Sequence, residues 1–262
     1  MKIGFFDSGL GGLTILKEVV KILPQFDYIY YGDTANLPYG DKTEEEIYEL
    51  TKAALVELFN RDCELVVVAC NTASAETLRK LQDTFLKEQY PDKRALGVII
   101  PTLEVFNELH AERGILLATK RTVESKKYNL ELQKINPNLK LEALPMTKLV
   151  PFIESDQIDK ALEVAIESLE SVDVGKGDVV ILGCTHYALL KESLREKFPE
   201  ATFLSQDEII PKKLFSYLGK HPELTAKLTN TGERTIHLTE HKNSYDVLAG
   251  QFLGGVYLPE DN

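Results

Sequence analysis

The 262-residue chain has no long apolar run, no basic excess and few cysteines, and each shortage excludes a class of function. No stretch approaches the roughly 18–20 apolar residues of a membrane span. Only Ile3-Gly4-Phe5-Phe6 separates Lys2 from Asp7, short of the apolar region of about 7–15 residues in a secretory signal. A cytoplasmic protein without membrane contact is expected. Lysine and arginine number 30 against 41 acids, a net charge of -11. Nucleic acid would be repelled unless a local basic stripe existed, and the pairs Lys126-Lys127 and Lys212-Lys213 read as solvated helix faces. The three cysteines, Cys63, Cys70 and Cys184, form no CxxC pair and do not cluster with histidine. That pattern argues against a disulfide framework and against a metal site.

What is present is ordinary for a globular chain: 44% hydrophobic and 27% charged residues. Short apolar runs alternate with amphipathic stretches. Strands are expected at Ile3–Phe6, Tyr28–Tyr31, Leu65–Ala69, Ala95–Ile99, Gly114–Ala118, Leu139–Leu144, Val179–Gly183 and Thr202–Leu204, with a ninth at Thr235–Leu238. A helix over Thr43–Phe59 opens with a capping box, Thr43-Glu44-Glu45-Glu46. Another, Gln157–Leu169, carries apolar residues at a 3.6 period. Alternating β and α units imply parallel sheets covered on both faces. One sheet, a barrel or two smaller sheets would satisfy this pattern. An internal echo favours two: Val66-Val67-Val68-Ala69-Cys70-Asn71-Thr72 resembles Val180-Ile181-Leu182-Gly183-Cys184-Thr185-His186, and Gly114–Thr119 echoes Ile3–Ser8 more weakly.

In open α/β sheets, ligands bind beyond the carboxyl ends of strands and at helix N-termini. The unusual motifs all lie there: Asp7-Ser8-Gly9, Gly32-Asp33-Thr34, Pro38-Tyr39-Gly40, Cys70-Asn71-Thr72, Thr119 with Thr122, and Cys184-Thr185-His186. The turn Gly9-Leu10-Gly11-Gly12 invites a dinucleotide reading with Asp33 as the ribose acid. GxGxxG fails at Thr14, however, and Asp7 would set a carboxylate beside the pyrophosphate. A lone cysteine ending an apolar strand is usually a small buried hydrophobe. Two in matching strand–Cys–helix contexts point instead to thiols activated at helix N-termini, facing each other across a cleft. Cys63 precedes its strand and takes the structural reading. Opposed thiols suit the inversion of a chiral carbon, where one group removes the Cα proton and another supplies one to the other face. Asn71, Thr72 and Thr185 would then hold substrate carboxylates, Asp7 the ammonium, and His186 would polarise Cys184. His110, His221, His237 and His241 receive no role.

These residues resemble the glutamate racemases of the aspartate/glutamate racemase superfamily. The resemblance rests on Phe6-Asp7-Ser8-Gly9-Leu10-Gly11-Gly12, Tyr31-Gly32-Asp33-Thr34-Ala35-Asn36-Leu37-Pro38-Tyr39-Gly40, Ala69-Cys70-Asn71-Thr72-Ala73-Ser74 and Leu182-Gly183-Cys184-Thr185-His186-Tyr187, in order and spacing over nearly the whole chain. It implies two flavodoxin-like α/β domains related by pseudo-symmetry, with the active site in the cleft between them. Residues 1–97 plus 208–262 would form the first domain and 98–207 the second. It further implies no cofactor and no metal, glutamate as the small-molecule substrate, D-glutamate supply for peptidoglycan, and a homodimer.

By the same resemblance the catalytic residues are Cys70, Cys184, Asp7, His186 and Glu154, the last in Val150-Pro151-Phe152-Ile153-Glu154 as an auxiliary acid near the second thiol. The substrate-binding set is Asp7, Ser8, Pro38, Tyr39, Gly40, Asn71, Thr72, Thr119, Thr122, Thr185 and His186. Three segments depart from the family pattern. Ala118-Thr119-Lys120-Arg121-Thr122 replaces a usual G-T-R-x-T, Gly97-Val98-Ile99-Ile100-Pro101-Thr102 replaces G-V-I-E-P-G and so loses an acid, and Ala143-Leu144-Pro145-Met146-Thr147 is atypical. An aspartate or other amino-acid racemase of the same superfamily is the nearest alternative. A non-catalytic nucleotide-binding or interaction module is the alternative from another class.

Overall fold

A computed structural model describes residues 1–111, 113–242, 245 and 249. Among the described residues, nine strands form two all-parallel sheets. In chain order they are β1 (Lys2–Asp7), β2 (Tyr28–Gly32), β3 (Cys63–Val68), β4 (Arg94–Gly97), β5 (Arg113–Ala118), β6 (Lys140–Pro145), β7 (Asp178–Gly183), β8 (Thr202–Ser205) and β9 (Arg234–Leu238). The first sheet runs β4-β3-β1-β2-β9 and the second β6-β5-β7-β8. Setting β9 aside, both follow one plan. The first strand of each half lies between its second and third, and the fourth lies outside the third. This is the flavodoxin-like order, and it makes β5, β6, β7 and β8 the counterparts of β1, β2, β3 and β4.

The strands read as they do because both sheet faces are covered. All six residues of β3 are buried, as are the last five of β1 and of β7, which is why these runs are almost continuously apolar rather than alternating. The anticipated ninth strand exists and joins the first sheet in register, Tyr30 opposite Ile236. The expected capping box is also present. Helix Glu44–Asn60 starts at Thr43, whose hydroxyl accepts from Glu46 N–H while the Glu46 carboxylate accepts from Thr43 N–H. The periodic stretch near 157–169 is a helix over Ile158–Glu170.

Two boundaries differ from the sequence reading by two residues, the others by no more than one. The run Ala95–Ile99 is strand only as far as Gly97, because Ile99 opens a helix, Ile99–Glu108, that carries Pro101 in its first turn. Proline is tolerated there because first-turn N–H groups have no intrahelical acceptor. Cys63, placed ahead of its strand, is instead the first residue of β3 and wholly buried. Part of the segment 208–262 assigned to the first domain lies outside the described residues. Among the described residues no helix is long and apolar enough to cross a membrane.

Candidate active site

In each sheet the chain reverses its direction of progress between the first and third strands, the crevice where ligands bind in such folds. The loops after β1 and β3 supply Asp7-Ser8 and Cys70 from the first half. Those after β5 and β7 supply Thr119 and Cys184 from the second. The two crevices face each other and form one cleft, part of it open to solvent. Both thiols line it. So do Ser8, Pro38, Tyr39, Gly40, Asn71, Thr72, Thr119, Thr185 and His186. Of the remaining sequence candidates, Asp7, Thr122 and Glu154 are not among the lining residues but bond to residues that are.

Cys70 caps helix Asn71–Glu76, and its sulfur accepts from Ala73 N–H at 3.5 Å. The Ser8 hydroxyl lies 3.3 Å from the same sulfur. Burial pushes the thiol up to about 12, and the negative charge of Asp7 adds to the rise. Asp7 is itself fully buried. It accepts from Gly9 N–H at 3.1 Å and from the Thr185 hydroxyl at 3.4 Å. Its carboxyl is raised by burial, against the pull of His186 and of backbone N–H groups.

The second thiol stands in contrast. Cys184 precedes a 3-10 helix, Thr185–Leu190, and has no capping bond. Its sulfur is 3.8 Å from His186 Nδ1, and His186 Nε2 is 2.5 Å from Glu154 Oε1. Burial alone would lower the imidazole pKa. The hydrogen bonds and charges of Cys184 and Glu154 outweigh it and lift His186 well above its ordinary value. The protonated ring then donates from both nitrogens, one to the sulfur and one to the carboxylate.

The neutral polar wall connects the halves. Thr72 Oγ1 lies 3.0 Å from Thr119 Oγ1 and 3.3 Å from Thr122 Oγ1, and the latter two are 3.0 Å apart. Tyr39 forms wall with its ring, because its hydroxyl donates to Asp33 Oδ2 at 2.6 Å. Asp33, weighed as a ribose acid, also accepts from Asn36 and from Thr239. The glycine turn packs against the opposite half. A Cβ on Gly11 would fall on the Thr185 hydroxyl and the His186 ring, and one on Gly32 would meet the Gly9 carbonyl at 2.7 Å. Cys63 is a free thiol buried in the first half, pushed up to about 12 by burial. Among the described residues no group of three or more His, Cys, Asp or Glu side chains is placed to hold a metal.

Several residues here escaped the sequence reading. Tyr128 donates to Asn71 Oδ1 at 2.6 Å, and Gln206 bonds both Asn71 and Tyr128 at 3.3–3.4 Å, all three buried. Lys120, Met146 and Thr147 also line the cleft. Gln206 follows β8 and Met146 follows β6, so the strand-end rule that found the other motifs points to them too. Tyr128, inside a helix, carries no such local mark.

The comparisons agree with this geometry. Residues 11–209 match the model of the Asp/Glu/Hydantoin racemase family. The chain is 34% identical to a glutamate racemase of Phenylobacterium zucineum, over 97% of this chain and 98% of that one. To a glutamate racemase of Ruegeria pomeroyi it is 35% identical, over 86% and 87%. The solved glutamate racemase of Francisella tularensis in complex with D-glutamate superposes with a TM-score of 0.86 at 29% identity, covering 98% of this chain and 95% of that one. With a family match over most of its length and two halves of like strand order meeting at the cleft, the chain belongs to the Asp/Glu/hydantoin racemase family and is an amino-acid racemase.

Proposed function

We propose that this chain interconverts L- and D-glutamate without a cofactor, using Cys70 and Cys184 as proton-transfer groups on opposite faces of Cα. The reading is supported above all by one observation: two buried thiols stand at equivalent strand ends of two like sheets and line a single cleft. Glutamate as substrate is supported by the names of the relatives and by the D-glutamate held in the Francisella structure. We further assign the chain to D-glutamate supply for peptidoglycan, to the cytoplasm and to a homodimer. The domains are taken as 1–97 plus 208–262 and 98–207, a division supported by the return of β9 to the first sheet.

In this scheme the substrate ammonium lies near Asp7, where it offsets the cost of burying that carboxylate and the negative charge that adds to the rise of Cys70. Hydroxyls of Thr72, Thr119, Thr122 and Thr185, with the Asn71 amide, hold the carboxylates. Their donated hydrogen bonds strengthen as charge builds in the transition state. One sulfur, as thiolate, takes the Cα proton. The other, as thiol, delivers its own proton to the opposite face and becomes the thiolate. Bonds and protons balance, and the enzyme ends with its two sulfurs exchanged in protonation, ready for the reverse reaction.

The test is racemisation of single enantiomers of glutamate and aspartate, without added cofactor, in heavy water at low conversion. Product should carry deuterium from the first turnovers while recovered substrate stays protiated, and a chelator should leave the rate intact. Transfer of the original hydrogen into product would sink the two-base scheme. Activity lost to a chelator and restored by a metal would sink cofactor independence. Faster turnover of aspartate would move the chain to the neighbouring activity.

A further inference from the structure

Helix Asn71–Glu76, which begins at Cys70, is tied to the second half at three heights. Asn71 meets Tyr128 and Gln206. Thr72 meets Thr119 and Thr122. Glu76 meets Arg121, on the short helix Lys120–Glu124 that starts at Thr119. The third tie is incomplete. Arg121 Nη2 donates to Glu76 Oε2 at 3.0 Å, but Arg121 Nε and Glu76 Oε1 are buried and have no hydrogen-bond partner. These are the other two atoms of a side-on guanidinium–carboxylate fork, whose two parallel bonds make such pairs strong. Burial raises the Glu76 carboxyl, with Arg121 pulling the other way.

Each orphaned atom carries a desolvation cost that a partner would remove, and each is the other's natural partner. A small reorientation of the two short helices would mate them. The middle tie indicates when this happens. The hydroxyls of Thr72, Thr119 and Thr122 bond to one another. A carboxylate bound among them accepts their hydrogen bonds and breaks that set, which frees the helices to re-seat. Arg121 also stands at the position that the resembling motif, G-T-R-x-T, leaves open.

We propose that Glu76 and Arg121 form a cross-cleft latch, half made while the threonine hydroxyls bond to one another, that completes its fork when glutamate binds among them and so sets affinity rather than the proton-transfer rate. This rests on the racemase reading of the cleft. Both are positioning residues, since neither lines the cleft.

The experiment has two readouts. In Arg121→Lys and Glu76→Gln, KM for both enantiomers should rise about tenfold, the scale of coupling within one ion-pair network, with kcat within about twofold. The double variant should be no worse than either single one. Independently, the Arg121 Nε–H signal of the wild-type chain, identified by its loss in Arg121→Lys, should exchange with water about tenfold more slowly in saturating D-glutamate. Unchanged KM in both variants, a fall in kcat at constant KM, or exchange that D-glutamate does not slow would overturn the latch. Should a variant fail to fold, the wild-type exchange measurement decides. A wild-type chain that does not racemise glutamate overturns the functional reading and the latch together. Racemisation with unaltered exchange overturns the latch alone.

Discussion

At the end of β3, Cys70 is met by the Ser8 hydroxyl, the Ala73 N–H and the charge of Asp7. At the end of β7, Cys184 is met by an imidazole backed by Glu154. Backbone topology places the two sulfurs alike, and side chains then make their surroundings electrically opposite. An anion beside Cys70 favours its protonated form, whereas Cys184 faces a ring that holds a positive charge. The two-base reaction proposed above needs such an inequality, because at the start of a turnover one sulfur would carry a proton and the other would not. Duplicated architecture supplies the like placement of the sulfurs, and divergence of the residues around them supplies the unlike charge beside each.

Removing either sulfur breaks the comparison most severely. Cys70→Ala and Cys184→Ala should each lower racemisation about a thousandfold or more, within the range that general acid–base groups supply. Each variant should still exchange the Cα hydrogen of one enantiomer with heavy water, and the preferred enantiomer should reverse between them. Near-normal racemisation by either would remove the thiol pair from the mechanism.

Removing the unlike neighbours sharpens it. His186→Asn and Asp7→Asn should each lower kcat about tenfold to a hundredfold, less than loss of a proton-transfer group itself. The larger kcat loss should fall on opposite directions of the reaction in the two variants. The enantiomers are equal in free energy in achiral water, so kcat/KM must remain equal in both directions. Any asymmetry in kcat must therefore be mirrored in KM. Equal kcat losses in both directions, in both variants, would mean that the two neighbours do not act on separate sulfurs.

A smaller effect is expected from Gln206→Ala. It loosens Asn71 without touching either thiol, and KM should rise about threefold to tenfold, as for one member of a buried network. An unchanged KM would leave Gln206 a packing residue.

How far the sequence foretold these features depends on how local their causes are. Strand positions were legible because burial on both faces writes continuous apolar runs into β1, β3 and β7. Both cysteines were legible because each stands where such a run meets polar residues. The exact end of β4 was not, since Val98, Ile99 and Ile100 are as apolar as a strand and only packing turns them into a helix. Nor was the charge difference between the thiols fully legible. It depends on Glu154 reaching His186 across 32 positions and on Asp7 reaching Thr185 across 178. The Asn71–Tyr128–Gln206 set joins three distant segments, and Tyr128 looks like any helix-face tyrosine until the fold closes.

The smallest effect tests the same inequality through stability rather than rate. Asp7 and His186 both have raised pKa values, yet with opposite consequences. A group raised on folding binds more protons folded than unfolded, so its stability contribution falls as pH rises between the two pKa values. For His186 the favourable contribution is fully present below its unfolded value near 6.5 and is lost as pH rises through the higher folded value. For Asp7 the contribution is a cost, absent below about 3.8 and imposed as pH rises through the raised folded value and both states ionise. Thermal melts of Asp7→Asn and His186→Asn against wild type should therefore move in opposite senses at neutral pH. Asp7→Asn should melt higher, with the gain vanishing toward pH 3. His186→Asn should melt lower, with the loss shrinking as pH is made strongly alkaline. The shifts should be a few degrees, the response of a chain this long to about 1 kcal/mol. If both variants shift Tm the same way at pH 7, the charges beside the two thiols are not opposed, and their inequality has another source.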